Sequence, residues 1–524
     1  MKKISSISRA AFIVSASFGI NKLVAIVRQL IIARQFGLSA DLDVFNVANN
    51  IPDMLYALIS GGALAVAIIP VLTEVMTKKD RRAAWRVFSH VANIAFLITL
   101  TLSLLVAIFA WPLVQHPLGI APGFNLEQQT LVVKLMRLDL VATIIFSMAG
   151  LLIAGLQANQ HFLLPAIGPI VYNIGQIFGA VVLSPADSYQ FGTFKLPAFN
   201  LGIDGLVYGV LIGSAAYFLL QIPGLVKYEF KWTPGVNFRD PEVRKILRML
   251  GPRVLSMFLY QLTFIARDNI ASRLPLGSVT ALTYGWMIQQ VPETLIGTAL
   301  GTALLPSMSE KIARSDRDGF GEIIARASRV LIALAIPATL LTAVALQPFL
   351  AFAFGFDTES TAILMWVTRA FLLGLVGHVF LEIGARIYFA QQNASIPLVG
   401  AGINLILYVI AGWFLSKPFQ SVGVGLADAI AFSGQAAFLM GMYWNANRKN
   451  TRPEKNRLAA GKRVPGTILR TSIGSVLGSG VIWVIIYQIN LPLPELLTGI
   501  VAFLCGLLIT IPFILPELKA LFDL

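Results

Sequence analysis

The stretch Asn49-Asn50-Ile51-Pro52-Asp53 returns later in the chain as Gln289-Gln290-Val291-Pro292-Glu293: two amides, a β-branched residue, a proline and an acid. Each copy sits inside a long hydrophobic segment. Each is followed by a small-residue run, Gly61-Gly62-Ala63-Leu64-Ala65-Val66-Ala67-Ile68-Ile69-Pro70 in the first and Gly297-Thr298-Ala299-Leu300-Gly301-Thr302-Ala303-Leu304-Leu305-Pro306 in the second. Proline removes a backbone donor from a helix, and hydrocarbon offers the freed carbonyl no partner. An interrupted helix at membrane depth is therefore tolerated only where protein or a water-filled cavity covers it. Paired interruptions in corresponding halves of a chain are the pattern of a secondary transporter's substrate path.

The surrounding composition requires a membrane. Hydrophobic residues make up 56% of the 524 positions and charged residues 13%, unlike a soluble protein of this length. About 20 apolar residues cross the hydrocarbon as a helix. Scanning for such runs gives fourteen candidate spans, near 9–36, 41–76, 86–114, 128–157, 163–184, 201–226, 243–274, 278–309, 321–354, 359–389, 394–416, 421–445, 466–489 and 495–517.

The net charge of +14 does not mark a nucleic-acid binder, because the basic residues alternate with topology. Lys2, Lys3, Lys78, Lys79, Arg81, Arg82, Lys227, Lys231, Arg239, Lys311, Arg314, Arg317 and the cluster from Arg448 to Arg463 all fall at one side of the spans. The loops at the other side, such as 37–42 and 115–127, carry no Lys or Arg. The positive-inside rule then puts both termini in the cytoplasm, as an even number of spans requires. No short apolar core with a small-residue cleavage site opens the chain, so the first span is expected to be retained. Cys505 is the single cysteine and lies in the last span, which excludes a disulfide framework and a thiolate metal site. No Walker motif or nucleophile elbow appears, which disfavours ATP-driven transport and catalysis, and no cofactor is expected beyond a coupling ion or the membrane potential.

The repeat continues past the broken helices. Glu74, Asp80, Arg81 and Pro112 match Glu310, Asp316, Arg317 and Pro348; Arg137, Ala158, Pro165 and Gly168 match Arg369, Ala390, Pro397 and Gly400; Gly202 and Gly213 match Gly423 and Gly434. The expected architecture is all-α: an N-lobe of six spans (1–226), a C-lobe of six (227–446), a basic cytoplasmic linker (447–465) and a C-terminal helix pair (466–524). Even-numbered halves enter the membrane in the same sense, so they are related by an axis along its normal. A central cavity opened alternately to either side is the expectation.

Charges within spans mark the candidate site. Lys22, Arg28 and Arg34 lie on the first span, and Arg267 and Arg273 on the seventh. A charge at a helix centre costs about 2.5–3.5 kcal/mol on insertion scales, so each needs water, a partner or the interface. Arg34 and Arg273 are close enough to an end to snorkel. Six-residue spacings rotate a straight helix by about 240°, so Lys22, Arg28 and Arg34 do not share one face. Arg267 adjoins Asp268, and Glu382 and Arg386 stand at ion-pair spacing. His378 reads as a proton carrier or an interhelical hydrogen-bonding residue. Asp43, Asp53 and Glu293 lie nearest the broken helices, where cation coupling, pairing with arginines and capping of freed amides are all open. Asn49, Asn50, Pro52, Gln289, Gln290 and Pro292 are the gate candidates. Cations with few free acids favour an anionic substrate.

These residues resemble the MurJ/MviN family of lipid II flippases, in the multidrug, oligosaccharidyl-lipid and polysaccharide exporter superfamily. The likeness is carried by Arg28, Ala33-Arg34-Gln35-Phe36-Gly37, Asp43-Val44-Phe45, Ile51-Pro52, Gly277-Ser278-Val279, Tyr284, Pro292 and the two small-residue runs. It implies a V-shaped, MATE-like exporter of an undecaprenyl-pyrophosphate-linked peptidoglycan precursor in the bacterial cytoplasmic membrane. It further implies a lipid-tail groove on the last two helices, a pyrophosphate-facing role for Lys22 and Arg28, an equivalent family acid at Asp43, and contact with membrane lipids and the peptidoglycan synthesis machinery. Where the family often carries arginines, this chain has Tyr56-Ala57 and Met287, which leaves Arg267 and Arg273 as candidate replacements. The competing readings are an exporter of another polyprenyl-pyrophosphate glycan, a MATE-like cation antiporter using Asp53 and Glu293, and a non-transporting scaffold.

Overall fold

The computed structural model describes residues 6–59, 63–191, 194–450, 455–489 and 491–522. Helices dominate, and they form two compact units, 1–277 and 278–524.

The first unit contains α1 (Ser6–Phe36), α2 (Ala40–Ile59), α3 (Ala63–Lys78), α4 (Arg81–Ile108), the short α5 (Ala110–Gln115), α6 (Leu126–Ala158), α7 (Leu163–Phe178), α8 (Ile203–Lys227) and α9 (Pro241–Ala271). A π-helical turn, Gly179–Leu183, extends α7, and a two-residue antiparallel pair, β1 (Gln190–Phe191) and β2 (Phe194–Lys195), lies between α7 and α8. Its core is built on Trp85, Phe88, Val91, Leu151 and Leu156, with Val243 and Ile246 of α9 added to it. Trp85, Phe88 and Phe230 meet edge to face at 5.1–5.7 Å. Trp85 also donates to the Tyr228 carbonyl at 2.9 Å, and Lys245 of α9 pairs with Glu74 of α3 at 2.7 Å. The seventh span therefore packs with the first unit, although the sequence repeat assigns it to the second half.

Glycine decides how closely α7 and α8 approach. A methyl group added at Gly175 would lie 2.4 Å from the Gly213 Cα, and one at Gly209 2.8 Å from the Gly179 Cα. The four-residue spacing of Gly205, Gly209 and Gly213 makes a flat strip on which the neighbouring backbone rests, the small-residue packing that membrane helices use.

The second unit contains α10 (Ser278–Glu293), a π-helical segment Thr294–Thr298, α11 (Ala299–Ala313), α12 (Arg317–Phe354), α13 (Thr358–Leu373), α14 (Leu375–Ala390), α15 (Ser395–Asn450), α16 (Lys455–Tyr487) and α17 (Glu495–Phe522). Two of the expected spans, 394–416 and 421–445, run together as α15, with a break at Gln420 where φ is 49°. The C-terminal pair α16 and α17 packs on α12 through Leu341, Ala345, Ile482 and Ala502. Of the linker expected at 447–465, residues 451–454 lie outside the described residues, and the chain is helical again from Lys455. Lys2, Lys3, Gly61 and Gly62 also lie outside them.

Among the described residues, eight helices are long and apolar enough to cross a membrane, nine if the bent pair α13 and α14 counts as one span. The expected spans outside that set are 9–36, 41–76, 243–274 and 278–309, the first two of each repeat. These carry Lys22, Arg28, Arg34, Arg267 and Arg273 and the prolines of the two broken helices, Pro52 and Pro292. Low hydropathy and interrupted helix thus fall together on the segments chosen above as the substrate path.

Candidate functional site

Arg28 is the centre of a polar cluster in the first unit. Its Nη1 donates to Asn173 Oδ1 on α7 at 2.9 Å, and its Nη2 to Gln29 Oε1 at 3.2 Å. Asn173 is itself held, because its Nδ2 donates to Asn21 Oδ1 and to the Pro169 carbonyl, both at 2.9 Å. A buried amide thus joins α1 to α7 and fixes where the guanidinium points. Asp53 of α2 lies within electrostatic reach of Arg28, and Asp139 of α6 within reach of Asp53. An aromatic wall stands beside them: Phe146 meets Tyr56 at 4.8 Å, Tyr172 at 4.6 Å and Tyr217 at 4.7 Å. A cation, a carboxylate and aromatic faces are the groups that hold a charged, amphipathic substrate.

Lys22 and Arg34 are exposed on the same helix as Arg28, which is half-buried. Arg267 is 9% exposed, with its Nε donating to Asp268 Oδ1 at 3.0 Å and its guanidinium over the Phe264 ring at 5.3 Å. Asp268 is fully buried, and it also accepts from Asn50 Nδ2 of α2 at 2.5 Å. The second residue of the first amide pair thus ties the helix containing Pro52 to α9. Arg273 is exposed and donates to the Pro117 carbonyl at 3.0 Å. Asn269, one turn earlier, donates to the Pro117 and Gly119 carbonyls at 2.9 and 2.6 Å. Asp43 is buried and accepts from the Gly277 amide at 2.6 Å.

In the first copy Pro52 is buried within α2 (Ala40–Ile59), with Asp53 exposed after it, and residues 60–62 lie outside the described residues. In the second copy Pro292 precedes the π-helical segment, so the backbone stays helical from Ser278 to Ala313. Proline cannot donate, and widening to a π turn absorbs the lost hydrogen bond without ending the helix. The Glu293 carboxylate accepts from Thr298 Oγ1 at 3.1 Å and Thr294 Oγ1 at 3.3 Å, which satisfies it inside the π segment. Gln289 is fully buried with neither amide atom partnered, the Asn49 Oδ1 is likewise without a partner, and Gln290 is half-buried.

Two expectations from the sequence, one from spacing and one from residue type, appear as contacts in the second unit. Arg386 pairs with Glu382 at 2.9 Å. His378 Nε2 meets Asp428 Oδ2 of α15 at 2.8 Å and stacks on Phe432, an interhelical bond. Asn173 and Asp139 were not selected by sequence reasoning, since a lone amide or acid in a span also reads as ordinary interhelical bonding. The signal available was their depth on the spans facing Arg28. No group of three or more His, Cys, Asp or Glu side chains with metal-binding geometry occurs among the described residues.

This fold, with charged and interrupted helices set among apolar ones, defines a polytopic transporter of the MATE-like class. An inward-facing MATE-family multidrug transporter superposes with a TM-score of 0.65 at 15% identity, covering 82% of this chain and 96% of its own. A solved lipid II flippase MurJ in an inward closed conformation superposes with a TM-score of 0.76 at 22% identity, covering 96% of this chain and 98% of its own. The family model described as "Lipid II flippase MurJ" matches residues 32–493, and the chain belongs to that family. The lipid II flippase MurJ of Burkholderia cenocepacia is 28% identical over 409 residues, 76% of each chain. A probable lipid II flippase MurJ of Vibrio cholerae is 27% identical over 453 residues, 83% of this chain and 82% of its own.

Proposed function

We infer that this chain carries lipid II from the cytoplasmic to the outer leaflet of the bacterial inner membrane by alternating access, as a transporter and not an enzyme. The observation that carries the reading is Arg28, a cation on the first span of a family member, aimed by Asn173 and backed by Asp53. A pyrophosphate offers two adjacent anionic centres. The planar Arg28 guanidinium matches such oxygens in geometry, and exposed Lys22 supplies a second cation on the same helix. In this reading Arg34 and Arg273 meet the substrate at the outer end. Arg267, bound to Asp268, positions α9 against the Asn50 segment. Pro52 and Pro292 mark where the two gate helices bend, and Gln289, Gln290 and Asn49 offer amide groups along them. The repeats 1–226 and 227–446 are the alternating halves, with α9 held against the first through Asp268 and Lys245, both termini are cytoplasmic, α16 and α17 hold the lipid tail, and the peptidoglycan synthesis machinery takes up the product.

The test is outer-leaflet exposure of lipid II in cells depleted of their own flippase and expressing this chain. Wild type should restore exposure and Arg28→Ala, at equal membrane abundance, should not. Abundant wild type without restoration would refute the reading, and export of a different polyprenyl-pyrophosphate glycan in the same cells would redirect it.

A further inference from the structure

The flank of the second unit holds an open groove of about 510 Å³ where α16 passes α12 and α13, lined by Ala343, Val344, Gln347, Met365, Arg369, Trp483 and Tyr487. Its lining is apolar and aromatic around a single cation, with no carboxylate.

The internal repeat shows what Arg369 does structurally and what is left over. Arg369 Nε donates to the Ala343 carbonyl at 2.8 Å, and its repeat counterpart Arg137 donates through Nε to the Ala107 carbonyl at 3.0 Å. Ala107 and Ala343 are themselves equivalent, at the offset that relates Pro112 to Pro348. Both arginines therefore pin neighbouring helices through the same atom, a role that uses one of five guanidinium donors. In the second unit Arg369 also lies over the Trp366 ring at 4.7 Å, which fixes the plane of the group. Only there does a C-terminal helix add a wall, with Trp483 and Tyr487 near its end, and turn the flank into a groove.

Arg369 lines the groove together with Trp483 and Tyr487 of the last turn of α16, residue types that favour the membrane–water interface, and a long arginine side chain reaches that level while its stem stays among apolar groups. Trp, Tyr and a cation beside apolar walls fit an anion attached to hydrocarbon chains.

We propose that this groove is a binding site for an anionic phospholipid, whose phosphate is neutralised by Arg369 while its acyl chains lie along Val344, Met365 and Trp483. The site is separate from the Arg28 cluster, and its occupant is a resident lipid that fastens α16 to α12 and α13. It does not depend on which glycolipid the protein transports.

The test uses the purified full-length protein, delipidated and returned to nanodiscs of phosphatidylcholine alone or with phosphatidylglycerol. Wild type should retain phosphatidylglycerol in native mass spectra and unfold at higher temperature in its presence. Arg369→Gln should lose both effects and Arg137→Gln should keep them, which separates the groove from the shared helix-pinning role. Ala343→Leu, which leaves the carbonyl and the charge in place but fills the groove, should also lose retention. Equal behaviour of Arg369→Gln and Arg137→Gln, or retention of phosphatidylcholine as strongly as phosphatidylglycerol, would overturn the proposal. So would displacement of phosphatidylglycerol by undecaprenyl phosphate at equal concentration, which would assign the groove to a polyprenyl chain, or equal stabilisation by inorganic phosphate alone.

Discussion

Removing the Asn173 amide should cripple transport nearly as well as removing Arg28, without touching the cation itself. Asn173 accepts from Arg28 at 2.9 Å and is fixed by donating to Asn21 and the Pro169 carbonyl, so Asn173→Ala deletes one charge-assisted bond to α1, the amide link to Asn21 of α1 and a bond within α7. A hydrogen bond to a charged group contributes about 1.5–3 kcal/mol. At about 1.4 kcal/mol per tenfold, losing it lowers the population with Arg28 correctly aimed by roughly ten- to a hundredfold. The assay is the initial rate of lipid II appearance in the outer leaflet, normalised to membrane protein, for wild type, Asn173→Ala, Arg28→Gln and the double variant. If Asn173 acts by aiming Arg28, its loss should have little further effect once Arg28 is Gln. Wild-type rate in Asn173→Ala refutes the reasoning, as does a full additional loss in the double variant, which would make Asn173 a packing residue of α7.

Other outcomes follow from the same contacts. Asp268→Ala leaves Arg267 buried without its carboxylate and frees Asn50, so stability should fall by about 3–5 kcal/mol, measured by denaturant unfolding in detergent. Gly209→Leu places side-chain atoms where the Gly179 backbone lies, so correctly folded protein should be lost from size-exclusion profiles. Gly402→Ala, where the added carbon meets nothing within 4 Å, should be neutral. At the start of α12, Asp316 caps the Gly319 amide and pairs with Lys311, which holds its carboxyl below the ordinary value of 3.8. A depressed native value means the cap contributes fully above the unfolded value and is lost as pH falls through the native one. Protection factors at the α12 N-terminus, the intrinsic exchange rate at each pH divided by the observed one, should therefore fall in acid for wild type, and Asp316→Asn should flatten that dependence.

The helical membrane architecture was legible in the sequence because hydrocarbon admits few spanning structures and apolar runs mark them, while the count was not, since eight or nine of the described helices, against fourteen expected, are long and apolar enough to span. The duplication was legible because proline, glycine and arginine recur at fixed offsets, and the pairing of Arg137 and Arg369 with equivalent alanine carbonyls shows the repeat operating at the level of single bonds. Spacing along one helix also gave the pairing of Glu382 with Arg386. What sequence could not supply were partners distant in the chain. Asn173 is 145 residues from Arg28, and Asp268 is 218 residues from Asn50. Such contacts depend on how close two helices come, and at α7 and α8 that distance is set by glycines whose only signature is the lack of a side chain. The sequence likewise presented two copies of one broken helix. Tertiary structure decided that the second continues through a π segment, with Glu293 satisfied by its own threonines, while Asp53 of the first lies within electrostatic reach of Arg28. Hydropathy and periodicity are local properties and fix which segments span and which carry charge; the aim of each charge is a property of packing, and only the folded chain determines it.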